Sequence, residues 1–147
     1  MMREGRGSVE AVDEGVRRLR QAGLRVTPQR LAVLEALERQ SHPTADDIHR
    51  MVAAHHPGFG LATVYNTLAT LEAHGQVQVV DDRQGRRYDL RMDPHQHIRC
   101  RHCGRIEDLP PWDHTLWLND VTPAGWAVEA WTFVAEGLCP ACRPEST

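Results

Sequence analysis

A chain of 147 residues with 41% hydrophobic side chains has room for one ordinary domain or two small ones, and it is too apolar for wholesale disorder. A net charge of -3 excludes a molecule that is basic over its whole surface. No apolar run approaches the ~20 residues needed to cross a bilayer, and MMREGRGSVEAVDEG has no apolar leader core, so a cytoplasmic protein is expected.

In chain order, residues 1 to 8 are rich in Gly and Arg and are expected to be disordered. Val9, Val12, Val16 and Leu19 recur at three and four, which predicts an amphipathic helix ending at Gly23. Thr27-Pro28 opens a second helix with Thr as N-cap, and Leu31, Leu34 and Leu37 form its buried stripe. Ser41-His42-Pro43 breaks it, and Thr44 caps a third helix carrying Asp46 and Asp47 in its first turn and burying Ile48, Met51 and Val52. A fourth helix is expected from Ala62 to His74, stopped by Gly75, with Val64, Leu68 and Leu71 inward. Its other face shows Thr63, Tyr65, Asn66, Thr67 and Thr70, small polar groups that could lie in a DNA groove. Two strand patterns, QVQVV at 76 to 80 and RRYDL at 86 to 90, then flank the turn DDRQG. Helices followed by a short hairpin read as a winged helix, although many domains that do not bind DNA share that pattern. Residues 1 to 90 balance 12 Arg against 12 acids, whereas residues 91 to 147 hold 5 against 8, so the first segment is relatively more cationic. Arg25, just before the Thr27 cap, could reach a phosphate or minor groove, or simply be solvated.

After residue 90 the composition changes. Strand-like HIRC and RIEDL flank a cysteine turn, a short helix is expected from Trp112 to Asn119, and VEAWTFVAEG at 128 to 137 reads as a strand leading into CPAC. This half is α+β. Its Trp112, Trp117, Trp126 and Trp131 exceed what 57 residues bury easily, which suits a homodimer interface, with core packing as the alternative.

Two metal chemistries meet in Asp93 to Gly104, DPHQHIRCRHCG. Cys100 and Cys103 form one C-x-x-C, and Cys139 and Cys142 form the other. Two tight turns of this kind aim four thiolates at one structural zinc; redox dithiols are the rival use. A closed set leaves no open coordination position for catalysis. His95 and His97 alternate on an extended segment and can face one side, while His42, Asp89 and Asp108 are further ligand candidates. Imidazoles with two carboxylates suit Mn(II), Fe(II) or Zn(II) more than a soft metal.

LRVTPQR at 24 to 30, HPTADDI at 42 to 48, ATVYNTL at 62 to 68, LEAHG at 71 to 75, HQHIRCRHCG and CPAC, in that order, resemble the ferric uptake regulator superfamily of metal-dependent bacterial repressors. The resemblance implies an α+β chain: an N-terminal winged-helix DNA-binding domain (1-90), then a small α+β dimerisation domain (91-147) with a four-cysteine structural zinc. Within the superfamily the chain is most similar to the peroxide-sensing type. That implies a regulatory Fe(II) or Mn(II) at His42, Asp89, His95, His97 and Asp108, where the double Asp replaces the Glu usual in iron-uptake regulators. It implies oxidation of His42 or His95 when iron meets hydrogen peroxide, and DNA contacts from Arg25, Thr63, Tyr65, Asn66 and Thr67. The partners implied are a double-stranded inverted-repeat operator and a second copy of the chain, with no membrane and no enzymatic turnover. Ala130 and Trp131 stand where many relatives carry His, which puts a further metal site in the dimerisation domain in doubt; Gly60 stands where they carry Ser, and a Gly helix start is tolerated.

The rival within the class is a sensor of iron, manganese or zinc availability. The rival outside it is a small metalloenzyme, against which stand the absence of H-E-x-x-H and of an evident nucleophile or general base beside the site.

Overall fold

The computed structural model describes residues 8–82, 85–93, 95–111, 115–129 and 133–144. They divide into two compact units, Met1–Asp93 and Pro94–Thr147.

The first unit holds four helices and a hairpin: α1 (Ser8–Gln21), α2 (Pro28–Arg39), α3 (Ala45–Ala53), α4 (Leu61–Ala73), β1 (Gln78–Asp82) and β2 (Gly85–Asp89). Thr27 caps α2, its side chain accepting from the Arg30 amide. Thr44 and Asp47 form a reciprocal capping box on α3, satisfying two amides that a helix start otherwise leaves open. Glycines in left-handed conformation stop α1 and α4, Gly23 at φ 71 and Gly75 at φ 66. Helix α2 is the hub, packing on α1, α3 and α4. Leu19, Ile48, Leu68 and Leu71 are completely buried among them. Where α1 crosses α2, a Cβ on Gly15 would come within 3.1 Å of Leu31 Cδ2, so a small residue belongs there.

The hairpin is antiparallel, with Gln78 opposite Asp89 and Val80 opposite Arg87. Arg18 fastens α1 to it. Its guanidinium is half-buried and donates to the carbonyls of Gln76 at 2.7 Å and Leu90 at 2.8 Å. Two expectations are corrected here. Val9 and Val12 stay exposed, 73% and 44%, because the buried contact of α1 lies further along, at Gly15 and Leu19. Thr67 is 8% exposed, so it does not belong to the outer face of α4.

The second unit contains β3 (His97–Cys100), β4 (Ile106–Asp108), α5 (Thr115–Val121) and β5 (Val134–Gly137). The sheet order is β4-β3-β5, with β3 antiparallel to β4 and parallel to β5. Arg99 and Glu136 are register partners on β3 and β5 and also form an ion pair. The last strand is shorter than expected: Val128 and Glu129 lie outside it, and residues 130–132, including Trp131, fall outside the described residues, as does Trp112. Trp117 and Trp126 are 48% and 75% exposed, so within this unit neither is a core residue. No helix among the described residues is long and apolar enough to cross a membrane.

Candidate metal centres and nucleic-acid face

The four cysteines converge at the sheet end. Cys100 closes β3, and the turn after it is tightened by Gly104, at φ 76, whose amide donates to the Cys100 carbonyl at 2.9 Å. The CPAC turn closes with the same spacing, the Arg143 amide donating to the Cys139 carbonyl at 2.9 Å. Arg101 N–H reaches the Gly137 carbonyl at 2.9 Å and brings the two turns together. One sulfur from each of the four lies within 4.8 Å of all the others. Cys103 Sγ is 3.7 Å from Cys139 Sγ, close to the ~3.8 Å edge of a tetrahedron whose Zn–S bonds are about 2.3 Å. The donor set fits zinc.

The thiols are unequal. Amides of Cys103 and Cys139 donate to Cys100 and hold its thiol down at about 5, whereas sulfur contacts led by Cys139, together with burial, push Cys142 up to about 12. The opposite directions have different causes: backbone amides favour the thiolate at Cys100, whereas Cys142 meets the other sulfurs and burial, with the charge on Cys100 a lesser contribution. A divalent cation at the centre is what lets all four ionise together.

The His/Asp residues are arranged within each unit. In the first, His42 lies in the break between α2 and α3, is 2% exposed and has φ 50. Its loop is stitched to β2: the Arg87 guanidinium donates to the His42 carbonyl at 3.1 Å, and the Tyr88 amide to that of Pro43 at 3.0 Å. This brings His42 Nε2 to 3.3 Å from Oδ2 of Asp89, the last residue of the wing strand. Asp89 Oδ1 accepts from the Arg91 amide at 2.9 Å, which orients the carboxylate.

In the second unit, His97 on β3 is register partner of Asp108 on β4, and the Leu109 amide continues the ladder to the Gln96 carbonyl at 2.8 Å. Strand alternation sends His95 to the same side as His97. Nε2 of His95 lies 3.3 Å and Nε2 of His97 lies 3.5 Å from the same Asp108 oxygen, Oδ1. The two rings meet edge to face at 4.5 Å. Imidazole nitrogens converging on carboxylates form a borderline-hard donor set that fits a divalent first-row metal.

On α4, Tyr65 is 47% exposed, Asn66 is exposed and Thr63 half-buried. Thr67 instead donates its hydroxyl to the Thr63 carbonyl at 2.8 Å and packs inward. Arg25 is exposed, its carbonyl accepting from the Arg30 guanidinium at 2.6 Å. Sequence reasoning passed over Ser41 and Arg87. Ser41 stands next to a candidate ligand and was legible in principle, whereas nothing in the spacing pairs Arg87 with residue 42.

Helices with a wing, an exposed polar helix face and paired thiolate and His/Asp centres define a class, the metal-responsive winged-helix regulators. The chain belongs to the ferric uptake regulator family, whose sequence profile matches residues 21–119 and whose members are repressors that bind metal and DNA. It is 38% identical over 100 residues to the peroxide-responsive repressor PerR of Staphylococcus aureus, covering 67% of this chain and 68% of that one. The ferric uptake regulator of Helicobacter pylori, in which three functional metal-binding sites are described, superposes with a TM-score of 0.76 at 25% identity, over 95% of this chain and 97% of that one. The peroxide stress regulator of Campylobacter jejuni superposes with a TM-score of 0.63 at 29% identity, over 92% of this chain and 99% of that one.

Proposed function

We propose that this regulator is a homodimeric repressor that senses hydrogen peroxide, with Cys100, Cys103, Cys139 and Cys142 holding a structural zinc. One regulatory Fe(II) or Mn(II) takes His42 and Asp89 from the first unit and His95, His97 and Asp108 from the second. The observation that carries the reading is the donor set itself: each unit presents imidazole beside an Asp carboxylate, in a chain 38% identical to a peroxide-responsive repressor.

A ligand set drawn from both units makes the metal a clamp on their relative arrangement. Residues 1–90 serve as the DNA-binding domain and 91–147 as the dimerisation domain. The clamped dimer presents two α4 helices at the spacing of an inverted repeat, with Tyr65, Asn66 and Thr63 in the groove and Arg25 at the backbone. Thr67, buried and bonded to Thr63, has no part in that contact. By linkage, metal and operator strengthen one another's binding. Exposed Trp117 and Trp126 supply aromatic surface for the second copy.

Iron(II) held by these five residues would supply the redox chemistry that cleaves the O–O bond of hydrogen peroxide, one oxygen going to the ring of His42 or His95 and the other leaving as water; an oxidised ring would be a poorer ligand, and the clamp would open. The chain is consumed as a sensor and turns over no substrate, which sets it apart from a metalloenzyme.

The test loads Fe(II) or Mn(II), adds peroxide, and measures operator binding and peptide mass together. Peroxide sensing predicts a 16 Da gain at His42 or His95 and at least about a tenfold loss of affinity, roughly 1.4 kcal/mol, with iron only. An iron form that keeps both its DNA and unmodified histidines identifies a sensor of metal availability instead, the reading favoured by the likeness to the Helicobacter pylori ferric uptake regulator.

A further inference from the structure

We propose that Ser41 is a positioning residue for the regulatory metal, its hydroxyl holding Nδ1 of His42 so that Nε2 is the atom offered to the cation. The inference rests on the reading of His42 as a ligand.

His42 is the one non-glycine residue with positive φ among the described residues, and Arg87 and Tyr88 bind the backbone of its loop from the neighbouring strand. With the main chain fixed and the ring buried, orientation falls to the two ring edges. Nδ1 lies 2.8 Å from Ser41 Oγ and Nε2 lies 3.3 Å from Asp89 Oδ2.

A neutral imidazole carries one N–H. With the proton on Nε2, the Ser41 hydroxyl donates to Nδ1. When Nε2 gives its lone pair to a cation, the proton must stand on Nδ1, and the same hydroxyl turns to accept it. A hydroxyl serves both tautomers by rotating about one bond, which neither a carbonyl nor an ammonium can do. The tautomer change that metal binding demands therefore leaves the ring's outer hydrogen bond intact. Partners of this kind around metal-bound imidazoles alter affinity by ~10–100-fold.

The experiment uses the full-length, zinc-containing protein. Mn(II) affinity is measured by electron paramagnetic resonance for wild type, Ser41→Ala, Ser41→Thr and His42→Ala, with the thermal midpoint and zinc content recorded for each. The ring 15N spectrum of His42 is taken without regulatory metal. Ser41→Ala is expected to weaken Mn(II) about tenfold or more and to shift the Nδ1 resonance, while Ser41→Thr restores both. Two results overturn the inference: Mn(II) binding by Ser41→Ala within twofold of wild type while His42→Ala loses it, or a Thr variant as weak as Ala. Wild-type binding by His42→Ala removes the ligand reading itself, and the inference with it.

Discussion

The two units solve the problem of stability with different materials. In the first, a hub helix and its neighbours bury Leu19, Val33, Ile48, Leu68 and Leu71 almost completely. In the second, the buried apolar residues among those described are Cys100 and Ile106, the buried polar residues are Gln96 and His97, and the His95 side chain is also enclosed. A unit this small cannot be held by hydrocarbon alone, because the surface it hides is too little to offset chain entropy. Ligation of a cation by the four thiols supplies what the core lacks. The lesson is that the cation in the second unit is structure in the same sense as leucine in the first.

The comparison breaks hardest at the thiolates. Zinc stripping with a strong chelator, or Cys139→Ser, should unfold residues 94–147 and leave the first unit's helices in place, since apparent zinc binding energies of ~10–16 kcal/mol equal or exceed the whole stability of a small domain. Amide exchange resolved by segment reads it. Uniform loss across both units would refute the division of labour. Next in size, Leu68→Ala should cost about 2–5 kcal/mol by emptying the centre of the helical core, with zinc content unchanged. Chemical denaturation followed by helix signal measures it, and simultaneous loss of zinc would show that the units do not stand apart.

The smallest effect sharpens the comparison inside the first unit. Thr44→Ala removes half of the α3 capping box and should cost about 1 kcal/mol. That cost should depend on pH. Burial works against ionised Asp47, but the hydrogen bonds from Thr44 and the nearby Arg50 and Arg87 outweigh it and hold the carboxyl below its ordinary value. A depressed folded value means that the contribution is present above the usual Asp range, about 4, and disappears as pH falls through the folded value. The difference between wild type and Thr44→Ala in denaturation midpoint should accordingly shrink in strong acid. A gap of constant size would assign the capping strength to neutral hydrogen bonds.

Helix starts and stops were legible because caps and left-handed glycines act locally: Thr27, Thr44, Gly23 and Gly75 all do what their neighbours in sequence require. The four thiols were legible for the same reason, since C-x-x-C is a turn. Thr67 was misassigned by its polarity, although its spacing from Val64 and Leu71 put it on the inner face and its hydroxyl could be satisfied within the helix. Residues 128 and 129 alternate like a strand but lie outside β5, since strand pairing is decided by partners remote in the chain. Arg87 at the His42 carbonyl is a long-range contact that no periodicity encodes.

Strand β3 has a final consequence. His97 opens it and Cys100 closes it, so their Cα atoms stand about 10 Å apart, and an odd offset of three directs the two side chains to opposite faces. One short strand therefore presents two donor chemistries on separate faces, imidazole at its start and thiol at its end, and a one-residue slip in its pairing would misplace both.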